Sequence, residues 1–390
     1  MNFDEKIERT GTRSEKWDGL GQVFGAPEAL ALWVADMDFS SPPAVTEALV
    51  HRAGHPVYGY TLWEESYYDA ARDWYRRRQG WSFPREAVLS SAGVVNGLSM
   101  ALRALTEPGD PVVIQPPVYG PFYSIPRLND RPLRENTLRE TPRGWTVDFE
   151  DLDRQLDGAK VLMLCSPHNP VGRVWTREEL EETIRLCQRH NVLVFADEIH
   201  SDLVFAGHRH LPLATLSAEA ADRVVTFVAP SKTFNLAGLS TALMVVTNED
   251  LRDRIREELA RTGMHMGNTF GIEGLEAAYR DGEPWLEELL TYLEESADMV
   301  LKTLEERLPG IRARKPEGTY LLWMDFRSLG ISQGELIRWV VRDCGLALSS
   351  GTFFGDGGEG FLRMNLACPR PMLREALARL EHGMEERGWK

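Results

Sequence analysis

Short apolar runs alternate with longer amphipathic segments between residues 87 and 247. The apolar runs are rich in β-branched residues, which predicts buried strands, and the amphipathic segments have the period of helices. Candidate strands cover residues 87–91, 111–115, 160–165, 191–196, 223–228 and 241–247. This alternation predicts an α/β domain whose strands are parallel and joined by right-handed crossovers.

Two amphipathic segments are regular enough to give helix bounds. Residues 94–105 (VVNGLSMALRAL) follow a glycine turn. Residues 176–190 (TREELEETIRLCQRH) open with Thr176 and Glu179 at the spacing of a capping box. We therefore expect a helix over each segment, placed between two of the strands.

The pattern changes after about residue 283. A charged amphipathic stretch over 283–308 predicts one long helix, and its single occurrence favours an interdomain helix over a coiled coil. Strand-like segments at 319–326 and 361–367 follow, with helical patterns near 333–343 and at the C-terminus. These elements predict a smaller α+β domain.

The length and the charge narrow the class of protein. A chain of 390 residues exceeds what one compact core usually holds, so we expect two domains. The net charge of −15 argues against nucleic-acid and anionic-membrane partners, which need basic patches. No apolar run approaches the length of a membrane span, so we expect no membrane partner.

The cysteines and the N-terminal segment indicate the compartment. Cys165, Cys187, Cys344 and Cys368 are widely spaced, which is typical of reduced residues rather than of a disulfide framework or a zinc site. The N-terminal segment is densely charged and lacks the apolar core of a secretory signal. We therefore expect a cytoplasmic protein.

Chemistry-bearing residues follow five of the predicted strands. In an open parallel sheet, ligands bind beyond the carboxyl ends of the strands. There the chain carries a glycine turn at 92–98, Tyr119 among prolines, Asn169, Asp197, and Ser231 with Lys232. Taken singly, each has an ordinary explanation, such as a tight turn, a packed tyrosine, a paired acid or a lysine that points to solvent.

Their coincidence at one sheet edge points to a single ligand. A helix N-terminus suits a phosphate, a tyrosine ring stacks on a flat ring, and a buried carboxylate needs a cationic partner. Pyridoxal 5′-phosphate (PLP) has a phosphate, a planar ring with an oxygen and a basic nitrogen, and an aldehyde. A lysine Schiff base and an aspartate at the pyridine nitrogen are its usual protein partners.

With these residues in place, the chain resembles the fold-type I PLP enzymes of aminotransferase class I/II. Within them it resembles the cystathionine β-lyase (C–S lyase) branch typified by MalY and PatB. The resemblance covers nearly the whole chain and rests on the motifs KWD (16–18), WVADMDFSSPP (33–43), YGYT (58–61), CSPHNPVGRVWTREEL (165–180), ADEIHSDLVF (196–205), SKTFNLAGL (231–239) and RMNLACPR (363–370).

The resemblance implies an architecture. A large PLP-binding domain over residues 48–285 would hold a mainly parallel seven-stranded sheet between helices. Residues 286–390 would form the small α+β domain, and residues 1–47 an N-terminal arm that contributes to it. The subunits would form a homodimer with shared active sites.

The resemblance also implies roles for individual residues. Lys232 would be the Schiff-base lysine, Asp197 the partner of the pyridine nitrogen, and Tyr119 the ring that stacks on the cofactor. Asn169 would bond the ring oxygen beside the substrate, and Arg363 would bind the substrate α-carboxylate in a bidentate pair. The other cofactor-binding residues would be Val94, Val95, His200, Ser231 and, from the neighbouring subunit, Tyr60.

Three positions depart from the usual aminotransferase pattern. His200 stands where many aminotransferases have a tyrosine, which is usual in the lyase branch. Ser240 stands where many have an arginine, so the phosphate would depend on backbone amides, Ser231 and Tyr60. Ala229 replaces a serine of many relatives, which puts one further phosphate contact in doubt.

The family resemblance, together with His200, implies β-elimination from cystathionine or a related cysteine S-conjugate, giving a thiol, pyruvate and ammonia. A class I/II aminotransferase is the alternative, because both reactions begin by removing the same α-proton. A regulatory protein that binds a transcription factor is also compatible with the branch, although nothing in the sequence supports it.

Two other kinds of site are disfavoured. The glycines of 351–360 do not form GxGxxG between a strand and a helix, so we expect a flexible loop there and no NAD site. The histidines of HRH (208–210) and MHM (264–266) are isolated, so we expect them to face solvent and expect no metal site.

Overall fold

A seven-stranded sheet forms the centre of the protein. The computed structural model describes residues 1–142, 144–263 and 267–389. The strands lie in the spatial order Val88–Ser91, Ala242–Val245, Val224–Val228, Leu193–Asp197, Val161–Cys165, Val112–Ile114 and Leu133–Glu135. All neighbouring pairs are parallel except the two that Ala242–Val245 makes. The predicted mainly parallel α/β sheet is therefore confirmed.

The strand Ala242–Val245 corrects one prediction, since it is antiparallel to both neighbours. A parallel return needs a crossover, usually a helix that spans the sheet. The connection 229–241 contains only the four-residue helix Pro230–Thr233 and a short 3₁₀ turn. The chain therefore re-enters the sheet beside the strand it has just left.

Both faces of this sheet are covered, which explains the continuous apolar runs. Every residue of Val161–Cys165 is buried. Val161 and Met163 pack into the core that contains the helix Val94–Leu105, while Leu162 and Leu164 pack into the core on the other face. Alternate side chains of the strand therefore pack into apolar layers on opposite faces of the sheet.

The predicted helices occur close to their predicted bounds. Arg177–Arg189 carries the expected capping box: the Thr176 hydroxyl accepts from the Glu179 N–H, and the Glu179 carboxylate accepts from the Thr176 N–H. The longer helices are Pro43–Gly54, Glu65–Gln79, Val94–Leu105, Pro121–Leu128, Phe149–Leu156, Arg177–Arg189, Glu249–Arg261, Thr269–Asp281, Glu283–Arg307 and Arg370–Arg387. The shorter ones are Glu15–Asp18, Leu20–Phe24, Ala218–Arg223, Pro230–Thr233 and Gln333–Arg338, the last continued by a π turn over Trp339–Asp343.

The long helix Glu283–Arg307 joins two cores. Leu286 and Leu289 belong to the core of the large sheet, whereas Val300 and Leu304 pack with a second, antiparallel sheet. That sheet has the order Arg312–Ala313, Leu321–Asp325, Phe361–Asn365 and Ser349–Ser350. The domain bounds 1–47, 48–285 and 286–390 remain predictions.

Two further pairs of short strands lie outside these two sheets. Leu30–Ala31 pairs in parallel with Leu346–Ala347, which attaches the N-terminal arm to the second sheet region. Arg139–Thr141 pairs antiparallel with Gly144–Thr146. Within the described ranges, no helix combines the length and the apolar character needed to cross a membrane.

Candidate active site

The carboxyl ends of the parallel strands surround a cavity of about 200 Å³. Eight predicted site residues line it: Val94, Val95, Tyr119, Asn169, Asp197, His200, Ser231 and Lys232. A larger cleft of about 650 Å³ lies against the helix Glu283–Arg307, but no predicted site residue lines that one. The smaller cavity is the candidate site because the chemistry converges there.

One end of the cavity is built from a helix N-terminus. The helix Val94–Leu105 begins there, and the first N–H groups of a helix have no partner within it. Gly93 precedes it with φ 111°, a conformation that side chains of L residues disfavour, so the tight turn requires glycine. Free N–H groups and the helix dipole make this end a site for an anion.

Asp197 lies on the floor of the cavity, at the end of the strand Leu193–Asp197. Only 4% of it is exposed, and the Ile199 N–H donates to its Oδ1 over 3.2 Å. Burial raises the pKa of Asp197 to about 7, and this one backbone bond and the charge of Lys232 offset the effect only in part. A cationic group placed against the carboxylate would restore its charge.

Lys232 lies in the short helix Pro230–Thr233 and is directed into the cavity. Its Nζ donates to the Ala35 carbonyl oxygen over 2.6 Å. Burial, and then the charge of Arg363, lower the pKa of Lys232 to about 8. A larger fraction of this amine is therefore neutral near physiological pH than for an exposed lysine.

Asn169, His200 and Tyr119 form the walls. Asn169 is buried, and its Oδ1 accepts from Arg363 Nη1 over 3.0 Å. Burial lowers the pKa of His200 to about 3, with the charges of Lys232 and Arg363 as smaller causes, so the imidazole is neutral. Its Nδ1 has no hydrogen-bond partner among the described residues. Tyr119 is half-buried, and burial raises its pKa.

Arg363 stands beside the cavity rather than in its lining. It is buried, and its Nη2 donates to the Trp33 carbonyl oxygen over 2.7 Å. Within the described ranges its Nε has no hydrogen-bond partner, and no carboxylate forms an ion pair with it. Burial lowers the pKa of Arg363 to about 10. A buried guanidinium without a carboxylate is a receptor for one.

Two predictions concern residues that do not line the cavity. Tyr60 is 92% exposed and does not line it, so its role at a neighbouring subunit stays a prediction. His210 does not face solvent as predicted: it is buried, and its Nε2 lies 3.0 Å from Glu198 Oε2. The apolar surroundings of Glu198 require such a polar partner.

MHM (264–266) lies outside the described residues. Among the residues that the structure does describe, no group of three or more His, Cys, Asp or Glu side chains could hold a metal ion.

A model of the family "aminotransferase class I and II" matches residues 28–380. The chain belongs to this family. The family resemblance found in the sequence is thus confirmed, together with the α/β fold that it implied.

Individual members of the aminotransferase class I and II family are similar over almost the whole chain. Cystathionine beta-lyase PatB of Bacillus subtilis (strain 168) is 45% identical, over 98% of this chain and 99% of PatB. A PLP-bound structure from Clostridium difficile 630, described as an aminotransferase, has a TM-score of 0.97 at 40% identity and covers 98% of this chain and 99% of its own. The PLP-bound C–S lyase from Staphylococcus hominis has a TM-score of 0.91 at 29% identity and covers 99% of both chains.

The residues of the cavity fit PLP, the cofactor bound in both of these solved relatives. Among the described residues no cationic side chain forms an ion pair with the buried Asp197 carboxylate, and a protonated ring nitrogen would supply that partner. The unpartnered Nδ1 of His200 leaves a polar atom to be satisfied in the site. Lys232 is the only cationic side chain among the described residues that line the cavity, so a phosphate here depends on the helix N-terminus and hydroxyl groups.

Sequence reasoning missed several residues of the site. Asn96 and Thr241 line the cavity, and Asn96 Oδ1 is buried without a partner among the described residues. The Ala35 carbonyl accepts from Lys232, and the Tyr320 hydroxyl donates to the same carbonyl. A backbone carbonyl leaves no signal in side-chain patterns, and only the motif WVADMDF (33–39) marked this segment.

Proposed function

We propose that this chain is a PLP-dependent carbon–sulfur β-lyase. It cleaves cystathionine or a related cysteine S-conjugate to a thiol, pyruvate and ammonia. The observation that carries the proposal is the convergence of Lys232, Asp197 and the carboxylate-free Arg363 at one cavity. The 45% identity to a protein named cystathionine beta-lyase supports the choice of reaction.

The cavity residues divide the work of holding the cofactor. The helix N-terminus at Val94 and Val95, with Ser231, would bind the phosphate, Tyr119 would stack on the ring, and Asn169 and His200 would meet its polar edge. Asp197 would keep the ring nitrogen protonated. When bound, PLP supplies an electron sink for the negative charge that develops at the substrate α-carbon.

Lys232 moves the proton. As a neutral amine it takes the proton from the substrate α-carbon, and its lowered pKa of about 8 makes that form available. The electron pair released at the α-carbon then expels the thiolate from the β-carbon, so the C–S bond breaks without any oxidant. Addition of water converts the remaining enamine to pyruvate and ammonia, which balances the reaction.

Arg363 orients the substrate. Its buried guanidinium is already fixed by Asn169, the Trp33 carbonyl and Ser349, and it offers its two remaining N–H groups, on Nε and Nη1, to the α-carboxylate. This contact holds the α-carbon in reach of Lys232 and excludes water from the carboxylate.

A class I/II aminotransferase is the second candidate, favoured by the Clostridium difficile relative that is described as one. The two functions differ in the need for a keto acid. The deciding assay supplies purified PLP-loaded protein with cystathionine alone and measures pyruvate and ammonia. Release of both supports the lyase, and turnover that requires an added keto acid establishes the aminotransferase instead.

We also propose a homodimer with shared sites in the cytoplasm. An exposed segment that contains Val57, Tyr58, Tyr60 and Leu62 supports the first part, because large apolar side chains in a row are typical of an interface. Four cysteines that are all free and buried support a reducing compartment. The net charge of −15 supports a small-molecule substrate rather than a nucleic-acid partner.

A further inference from the structure

The Ala35 carbonyl oxygen accepts hydrogen bonds from two side chains that come from different parts of the chain. Lys232 Nζ lies 2.6 Å from this oxygen and the Tyr320 hydroxyl lies 2.9 Å from it. Tyr320 is fully buried, and its ring meets the ring of His200 edge-on at a centroid distance of 6.0 Å. Tyr320 does not line the cavity, and it contacts the candidate site through the Ala35 carbonyl that also accepts from Lys232.

The backbone around this carbonyl is held on both sides. Arg363 Nη2 donates to the Trp33 carbonyl over 2.7 Å. Asn365 Nδ2 donates to the carbonyl of Val34 over 2.7 Å and to that of Asp36 over 2.6 Å. The carbonyl groups on both sides of Ala35 are therefore anchored, and the Ala35 carbonyl itself is bound by Lys232 and Tyr320.

Sharing one acceptor has a consequence for Lys232. Two donated protons compete for the electron density of one oxygen, so each bond is weaker than it would be alone. A hydrogen bond to the charged form of a group raises that group's affinity for its proton. A donor that competes with the ammonium therefore makes the proton easier to lose.

We propose that Tyr320 is a positioning residue for the free Lys232 amine, acting through the Ala35 carbonyl to which both donate. It holds this carbonyl where the amine lies whenever Lys232 is not covalently attached. It also limits how tightly the ammonium form is bound there. The inference rests on the proposed role of Lys232 and adds a residue to it.

Other charged and titratable groups also act on the pair and must stay unchanged in a test. Around Lys232 they are Arg363, Asp36, Asp197, Glu15 and His200. Around Tyr320 they are Asp36, Arg363 and Tyr119. Tyr320→Phe removes one hydroxyl group, keeps the ring against His200 and alters none of these groups.

The experiment titrates Lys232 directly in the full-length, cofactor-free protein. Acetic anhydride labels neutral amines, and mass spectrometry of the Lys232 peptide gives the labelling rate across neutral and alkaline pH. We expect the midpoint for Tyr320→Phe to lie about half a pH unit above that of the unaltered protein. Tyr279→Phe is the matched control, because it removes an equally buried hydroxyl that lies 3.0 Å from the Tyr75 hydroxyl. Its midpoint should not move.

A midpoint for Tyr320→Phe that equals the control, or lies below it, overturns the proposal. If this variant does not fold, 3-fluorotyrosine at position 320 strengthens the donor instead and should lower the midpoint; no change would again overturn it. Labelling requires neither PLP nor turnover. Failure of the proposed lyase function would therefore appear separately, as absent product or absent PLP uptake in the unaltered protein.

Discussion

Two lysines approach the same segment, residues 33–38 (WVADMD), and they are held in opposite ways. Lys16 is fully buried, and its Nζ lies 2.6 Å from Asp38 Oδ2 and 3.5 Å from Asp36 Oδ1. Lys232 donates to the Ala35 carbonyl instead, and no carboxylate lies within ion-pair distance of it in the described part of the chain. The Lys16 amine is therefore paired with carboxylates, whereas the Lys232 amine is bound by a neutral carbonyl.

The difference separates structure from chemistry. Asp38 also accepts from Arg9 over 2.7 Å and from the Trp17 indole over 2.9 Å, so the cluster around Lys16 is closed. Because each charged group of this cluster already has a partner, none is free to bind a ligand, and removing one partner costs stability. Burial and the charge of Arg363 instead lower the pKa of Lys232 to about 8, and with no carboxylate bound to it in the described part of the chain the amine can change partners.

The largest expected effect follows from removing the reactive amine. Lys232→Met should lower pyruvate release from cystathionine by about 10⁴-fold, because the α-carbon loses its general base. The visible absorption of covalently bound PLP should vanish, while the fold remains. Steady-state assays and an absorption spectrum measure both. Retention of more than a few percent of turnover would mean that another group carries the proton.

Asp197→Asn should lower turnover but raise the stability of the cofactor-free protein. Loss of the charge at the ring nitrogen should lower turnover by about 10²-fold or more. In the cofactor-free chain the same change should be stabilising at pH 8. The folded-state pKa of Asp197 is about 7 against an ordinary 3.8, so the folded state binds the proton more tightly. Ionisation of this group therefore costs stability as pH rises from about 4 to about 7.

The gain in the free energy of unfolding caused by Asp197→Asn, and its dependence on pH, can both be measured. At pH 8 the cost removed by Asp197→Asn is about 4 kcal/mol, because each unit of the pKa shift from 3.8 to about 7 is worth about 1.4 kcal/mol. Urea unfolding of both cofactor-free proteins should show the gap at pH 8 and a smaller gap at pH 5. An equal gap at both values would show that packing, not charge, is responsible.

Lys16→Met tests the closed cluster with the same substitution used at Lys232. Asp36 and Asp38 lose a partner in a buried setting, and we expect a loss of about 3 kcal/mol. This is the lower end for a broken buried pair, because Arg9 remains bound to both carboxylates. Unfolding in urea measures the loss. Turnover should fall no further than the folded fraction does, and a larger fall would place Lys16 in the chemistry.

The comparison also shows what sequence patterns can reveal. The apolar runs located six of the seven strands of the large sheet within a few residues, because the central strands are buried on both faces and read as apolar runs. They did not mark the half-buried edge strand Leu133–Glu135. The polar residues that follow those runs, from Tyr119 to Lys232, met at one cavity for the reason expected of parallel strands. Local pattern and topology were sufficient for these.

Contacts between distant segments were not visible in the sequence. The antiparallel direction of Ala242–Val245 depends on a connection without a crossover helix, and the burial of His210 depends on Glu198. The Ala35 carbonyl and Tyr320 are separated by 285 positions along the chain. No local period encodes such a meeting, so the partner of Lys232 could be found only in three dimensions.

The smallest effect concerns Tyr60, whose predicted partner is the phosphate bound in a neighbouring subunit. Tyr60 is 92% exposed, so Tyr60→Phe should leave the stability of one subunit unchanged. If its hydroxyl reaches the phosphate in a neighbouring subunit, PLP affinity should fall by about fivefold, the value of one modest hydrogen bond. Tyr58→Phe is the matched control, since it removes only a hydroxyl that donates to the Ala53 carbonyl over 3.0 Å. PLP titration of each variant, with the oligomeric state followed by sedimentation, decides. Equal affinities, or a monomer that binds PLP fully, would exclude Tyr60 from the site.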